Sequence, residues 1–143
     1  MIQDIAQEKR HIDETIRRLS KTLSKKRMAE NDVMAISVML HNVYMGIENI
    51  LRRILELHEI QINKTGTWHK DLLGKALEKG VITEELWRTL YKYLQFRHLQ
   101  MHGYGYMLKW ENMKPLALNA KNTLDQFFMN LDEQGYWERI SSD

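Results

Sequence analysis

Apolar residues recur at steps of three and four positions through a long central stretch of the chain. The steps run 3, 4, 3, 4, 3, 4 and 3, which places every member on one face of an α-helix. The pattern predicts a long helix with Asn31 or Asp32 as its N-cap. The members of this apolar stripe are Val33, Ile36, Leu40, Val43, Ile47, Ile50, Ile54 and Leu57.

Two further segments carry stripes of the same kind. The first predicts a helix that pairs with the central one as a hairpin, through a turn at 27–31. Its members are Ile5, Ile12, Ile16, Leu19 and Leu23. The second predicts a last long helix, and its members are Trp110, Met113, Ala117, Ala120, Leu124, Phe127 and Leu131.

Pro115 falls inside the last stripe. Deep in a helix, proline removes one backbone hydrogen bond and clashes with the preceding turn. We therefore expect a turn at 110–114 and the main helix from residue 115 onward.

Two shorter helices are predicted between the long ones. One runs from His69 to Lys79 and ends at Gly80, and another is capped by Thr83 and runs toward Arg97. The stretch 61–67 is the expected loop. With one proline, seven glycines and no alternating pattern, the chain is predicted to be an all-α antiparallel bundle of about five helices.

Composition narrows the class of protein. The 143 residues have the length of a single domain, which we expect to span 1–143. The sequence lacks cysteine, which excludes disulfides, thiolate zinc sites and a cysteine nucleophile. Its apolar runs are all shorter than the roughly 18 residues that cross a bilayer, so we expect a cytoplasmic protein with no membrane partner. A net charge of +2 does not by itself indicate a nucleic-acid partner.

The segment YLQFRHLQMHGYGY, 93–106, carries the strongest chemical signal. Arg97 and His102 are five positions apart and would point about 140° away from each other on a continuous helix. If the helix unwinds at the following glycines, His102 can turn back toward Arg97. An alternative is purely structural: Arg97 and His98 cap helix carbonyls while Tyr104 and Tyr106 pack on the core.

His98 and His102 are also four positions apart, a spacing that suits a metal pair. The sequence offers no evident third ligand beside them, so we expect no metal site.

The first helix has a basic face opposite its apolar stripe. Residues 9–27 contain eight basic and two acidic side chains. A solvated charged face explains this pattern, and so does a surface that follows the phosphates of RNA. The candidate RNA contacts on this face are Arg17 and Lys21.

Three segments together resemble the HepT-like toxins of the HEPN superfamily. They are LHNVYMGIENILRRI (40–54), GTWHKDLL (66–73) and YLQFRHLQMHGYGYMLKWENMKPL (93–116). The third contains the Arg-x4-His-x-Tyr motif of that family as Arg97, His102 and Tyr104. Met101 and Asn49 stand where members of the family often have arginine.

The resemblance implies an all-α HEPN bundle that forms a homodimer and cleaves RNA as a metal-independent endoribonuclease, without a cofactor. It also implies a type VII-like toxin–antitoxin pair, in which a nucleotidyltransferase encoded next door silences the toxin by transferring AMP to Tyr104. The loss of a cation at Met101 favours a second interpretation, a non-catalytic helical module that binds nucleotides, RNA or another protein.

The residues of the motif agree with the implied chemistry. Metal-free RNA cleavage needs a general base, a general acid and a cation beside the phosphorane. His102 titrates near neutrality, and Arg97 offers bidentate hydrogen bonds to phosphate. One histidine cannot hold both protonation states at once, so His98 or His102 of the partner subunit is expected to share the proton transfers. This requirement, and the extent of the apolar stripes, predict a two-fold dimer.

Overall fold

The computed structural model describes residues 2–101 and 109–136, with side chains from residue 5 onward. Its elements are five α-helices: α1 (Ile2–Leu23), α2 (Glu30–Leu57), α3 (Trp68–Glu78), α4 (Glu84–Met101) and α5 (Trp110–Glu133). Strands do not occur among these residues. The predicted all-α bundle is confirmed.

Helix α2 is the centre of the bundle and packs against the other four helices. Its predicted stripe is buried apart from the two end members, Val33 and Leu57. The stripes of α1 and α5 are likewise buried apart from Leu23 and Trp110. A single chain therefore covers these stripes, and their extent is no argument for a dimer, contrary to the sequence-based reasoning.

The hairpin of α1 and α2 depends on a close approach at Gly46. A Cβ atom at this position would lie 2.6 Å and 2.7 Å from the side chain of Ile12, well inside van der Waals contact. One turn away, the Asn49 side-chain amide donates to Glu8 at 3.1 Å. The missing side chain lets the two helices pack at this short distance.

The start of α2 differs from the prediction. The N-cap is Ala29 rather than Asn31 or Asp32. The Asp32 carboxylate accepts the backbone N–H of Ala29 at 3.0 Å and the ammonium of Lys25 at 2.7 Å. Asp32 thus stabilises the helix start from the third helical position, which is the reciprocal half of a capping box.

The start of α5 also differs. The helix begins at Trp110 and continues through Pro115, so the predicted turn at 110–114 is wrong. Proline removes one hydrogen bond near the helix end, and the extra turn buries Met113 completely. Burial of one methionine stabilises by about 1.5–3 kcal/mol, which is comparable with the roughly 3 kcal/mol that a proline costs inside a helix.

The two shorter helices start within a residue of the predicted positions; α3 ends one residue before Lys79, whereas α4 continues past Arg97 to Met101. Gly80 follows α3 with a positive φ of 72°, which glycine adopts without strain. The Thr83 hydroxyl accepts the backbone N–H of Leu86 at 3.1 Å, as an N-cap does. Within the described chain, we find no helix with the length and hydropathy to span a membrane.

Candidate functional site

The last turns of α4 face the first turn of α3 across an open cleft of about 1210 Å³. Arg97 and His98, which the sequence singles out, both line it. The other described lining residues are Lys64, Thr65, Gly66, Thr67, Trp68, His69, Lys70, Tyr91, Leu94, Gln95, Leu99 and Met101.

Arg97 is the half-buried cation of this cleft. Its Nε is buried and has no hydrogen-bond partner among the described atoms. No carboxylate in the described chain forms an ion pair with its guanidinium. The guanidinium therefore keeps its donors available for an anion.

Two residues of α2 lie within the electrostatic reach of Arg97. Burial, and then the charge of Arg97, lowers the pKa of His41, so that its imidazole is neutral at neutral pH. Burial and the negative charge of Glu48 raise the pKa of Tyr44, and Arg97 opposes this effect in part. The buried Tyr44 hydroxyl lies near Glu48 but outside hydrogen-bonding geometry. Arg97 thus sits beside two uncharged side chains.

Glu48 is fully buried and is bound by His69 of α3. The His69 Nδ1 lies 2.9 Å and 2.8 Å from the two carboxylate oxygens. This contact is a hydrogen bond between α3 and α2, and it gives His69 a structural role. It fixes the first turn of α3, and with it one wall of the cleft, against α2.

Some of the other site residues predicted from the sequence lie in the described part of the chain, and some lie outside it. His102 and Tyr104 lie outside the described residues, and so does the possible His98–His102 metal pair. Arg17 and Lys21 are exposed on α1, which packs on α2 and α5 and contributes nothing to the described lining of the cleft.

Four basic or aromatic residues of the cleft are not identified as site residues from the sequence: Lys64, Trp68, Lys70 and Tyr91. An aromatic residue next to a basic one is a weak signal, and Trp68–His69–Lys70 is one such run. Tyr91 carries no signal of its own, because only packing brings α4 opposite α3.

Comparison with known families gives one result. The family model described as HepT-like protein matches residues 35–135, which is more than half of the chain. The chain belongs to the HepT-like family. The match covers the three segments of the resemblance and the whole Arg-x4-His-x-Tyr motif. Searches of curated proteins and of solved structures find no match.

Proposed function

We propose that this HepT-like protein is a metal-independent endoribonuclease and the toxin of a toxin–antitoxin pair. The observation that carries the proposal is the Arg97 guanidinium, which is free of ion pairs in the described chain and lies on the wall of a cleft beside His98. None of the described lining residues is acidic. Such a cleft attracts a polyanion and offers bidentate hydrogen bonds to one of its phosphates.

In the proposed reaction, a histidine takes the proton of a ribose 2′-hydroxyl, and the oxygen attacks the adjacent phosphorus. The bond from phosphorus to the 5′-oxygen breaks, and a second imidazole protonates that oxygen. The products are a 2′,3′-cyclic phosphate and a 5′-hydroxyl. Arg97 stabilises the charge on the phosphorane. His102 is the proposed base or acid, and His98 or His102 of the partner subunit supplies the other proton transfer.

The second histidine makes a homodimer part of the proposal. Met34 and Val38, one turn apart on α2, are 63% and 56% exposed, and Met101 is 60% exposed. The Gln100 amide donates to the Ser37 carbonyl at 2.9 Å, which holds the end of α4 beside this part of α2. An apolar patch next to the motif is suited to a two-fold contact that brings two motifs together.

Sedimentation at micromolar concentration tests the dimer. We expect a species of twice 17.2 kDa, and we expect Val38→Glu to dissociate it. Leu118→Glu is the matched control, because Leu118 is equally exposed at 61% but lies on α5. A wild-type protein that sediments only as the single chain contradicts the composite site.

Tyr104 is the proposed site of control. Its phenol oxygen attacks the α-phosphorus of ATP in the nucleotidyltransferase, pyrophosphate leaves, and the phenol proton is lost. The attached AMP adds a negative charge and a bulky adenosine to the motif that contains Arg97, which opposes binding of an RNA phosphate. Peptide mass mapping after incubation with the neighbouring nucleotidyltransferase, ATP and Mg²⁺ tests this, with Tyr104→Phe and Tyr106→Phe as paired variants. Silencing of cleavage while Tyr104 stays unmodified contradicts it.

The deciding experiment for the activity is cleavage of labelled RNA in the presence of a chelator. We expect Arg97→Ala and His102→Ala each to lower the rate by about 10²- to 10⁴-fold, and His98→Ala to have a smaller effect. The matched control is His11→Ala, because His11 is exposed on α1. If His102→Ala cleaves RNA at the wild-type rate in the presence of chelator, the mechanism is contradicted.

Met101 supports a second candidate, a module that binds RNA or nucleotides without cleaving them. The side chain is exposed at the end of α4 and supplies no cation there. RNA binding without cleavage by the wild-type protein would establish this candidate.

A further inference from the structure

The cleft continues beyond Arg97 and His98. Its other wall is the first turn of α3 and the loop before it. The volume of about 1210 Å³ exceeds the roughly 300–1,000 Å³ of a typical small-ligand site. This wall therefore has room for more of a polyanion than the single phosphate that Arg97 binds.

Lysines and aromatic rings lie in pairs in this part of the cleft. The Lys64 Nζ lies 5.5 Å from the centre of the Trp68 ring, and the Lys70 Nζ lies 5.9 Å from the centre of the Tyr91 ring. Both rings are half-buried and both lysines are exposed. A long, exposed lysine can move off the ring, so that a base stacks on the ring while the ammonium binds the adjoining phosphate.

Each of the two rings is held by a second ring. Tyr91 stacks on Trp87 with centroids 5.5 Å apart and an interplanar angle of 29°. The Trp68 ring lies 3.7 Å from the ring of His69, which is itself fixed by its hydrogen bonds to Glu48. The rings are therefore preorganised platforms, and little conformational entropy is lost when a ligand stacks on them.

Aromatic platforms combined with cations are the means by which proteins bind unpaired bases. Tyr91 and His98 are seven residues apart on the same face of α4, which separates them by about 10 Å along the helix axis. That distance is within the reach of the nucleotides beside a phosphate bound at Arg97.

We propose that Trp68 and Tyr91 form a subsite for an unpaired base of the RNA, next to the scissile phosphate, and that Lys64 and Lys70 bind the adjoining phosphates. The proposal rests on the proposed ribonuclease function and adds that the substrate is single-stranded where it enters the cleft. Bases in a duplex are stacked and paired and cannot reach the rings.

The test measures the affinity of a short, fluorescently labelled, 2′-O-methylated strand, which lacks the nucleophile and is not cleaved. We expect Trp68→Leu and Tyr91→Leu each to weaken binding about 5- to 100-fold, whereas Trp68→Phe and Tyr91→Phe keep most of the affinity. If Trp68→Leu fails to fold, the Tyr91 pair decides. A duplex of the same sequence should bind equally to all these variants.

The lysines have their own control. Lys64→Gln and Lys70→Gln should each reduce the slope of log affinity against log salt by about 0.7. Lys92→Gln should leave it unchanged, because Lys92 is exposed on α4 but is absent from the cleft lining.

Parallel cleavage of unmodified RNA by the wild-type protein separates the two proposals. If RNA is cleaved but the Trp68 and Tyr91 variants bind the strand as the wild type does, the subsite is refuted and the nuclease stands. If the strand binds through Trp68 and Tyr91 but no RNA is cleaved, the nuclease is refuted and the subsite stands. Unchanged RNA affinity together with lost binding of the nucleotidyltransferase would refute the subsite and assign this part of the cleft to the antitoxin.

Discussion

The replacement His69→Ala tests the buried contact that holds α3 against α2. Glu48 is 1% exposed and the His69 side chain is 16% exposed. The replacement removes the imidazole whose Nδ1 lies 2.8 Å from Glu48 Oε2. A carboxylate would then be left in the core without this partner.

The expected loss follows from these burial values. Leaving a buried polar group without its hydrogen-bond partner costs about 1–3 kcal/mol, and more where the group is charged. Because Glu48 is almost fully buried, we expect a loss of about 3 kcal/mol. For a chain of this size, that corresponds to a fall in Tm of about 10 °C.

Thermal and urea denaturation followed by circular dichroism measure this loss. The double variant His69→Ala/Glu48→Gln should be more stable than His69→Ala, because a neutral amide is less costly to bury than a carboxylate. Arg88→Ala is the control: its ion pair with Glu84 is exposed, so the change should stay below about 1 kcal/mol. The reasoning is refuted if His69→Ala melts within about 2 °C of the wild type, or if the double variant is no more stable than the single one.

Gly46→Ala should destabilise the protein by about 1–3 kcal/mol, because the added methyl group overlaps a buried side chain of α1. Gly74→Ala on α3 meets open space and should stabilise the protein by about 0.5–1 kcal/mol. Thermal denaturation of the two variants measures both effects. Arg17→Ala with Lys21→Ala should weaken RNA binding in a salt-dependent way and leave turnover at saturating RNA unchanged, and titrations at several salt concentrations with paired rate measurements check this. The pKa of folded His41 is lowered, so below about pH 6.5 the unfolded state binds a proton that the folded state does not, and stability falls. The melting temperature should therefore fall more steeply between neutral and acidic pH for the wild type than for His41→Asn.

The helices follow from the sequence because their signal is repeated many times. The stripe of α2 contains eight apolar members, and no single substitution would hide its period. The ends rest on single residues, and there the prediction is weaker. Asp32 stabilises the helix start from the third helical position, and Pro115 is tolerated because the first turn of α5 buries Met113. Neither effect can be read from local propensity, because each depends on contacts made after folding.

The site divides in the same way. Arg97 and His98 are adjacent in the chain, so the sequence itself brings them together. Trp68 and Tyr91 lie on different helices, and only the packing of α3 beside α4 places them on one cleft. Glu48 did offer a signal, because it lies in a second row of α2 with the buried residues Tyr44, Leu51 and Leu55. A carboxylate in such a row requires a buried partner, but the row does not indicate that the partner is His69.

The Glu48–His69 contact also bears on the proposed chemistry. Glu48 and Arg97 have opposite effects on the pKa of the Tyr44 hydroxyl, so their charges act on the same part of the core. A carboxylate whose charge acts there weakens the attraction of Arg97 for an RNA phosphate, unless a donor compensates that charge. His69 is that donor, since its Nδ1 contacts both carboxylate oxygens. We therefore expect His69→Ala to slow RNA cleavage at temperatures where it is still folded, because the charge of Glu48 is then uncompensated. His69→Ala/Glu48→Gln should recover part of the rate. If the double variant cleaves RNA no faster than His69→Ala, the uncompensated charge of Glu48 is not the cause.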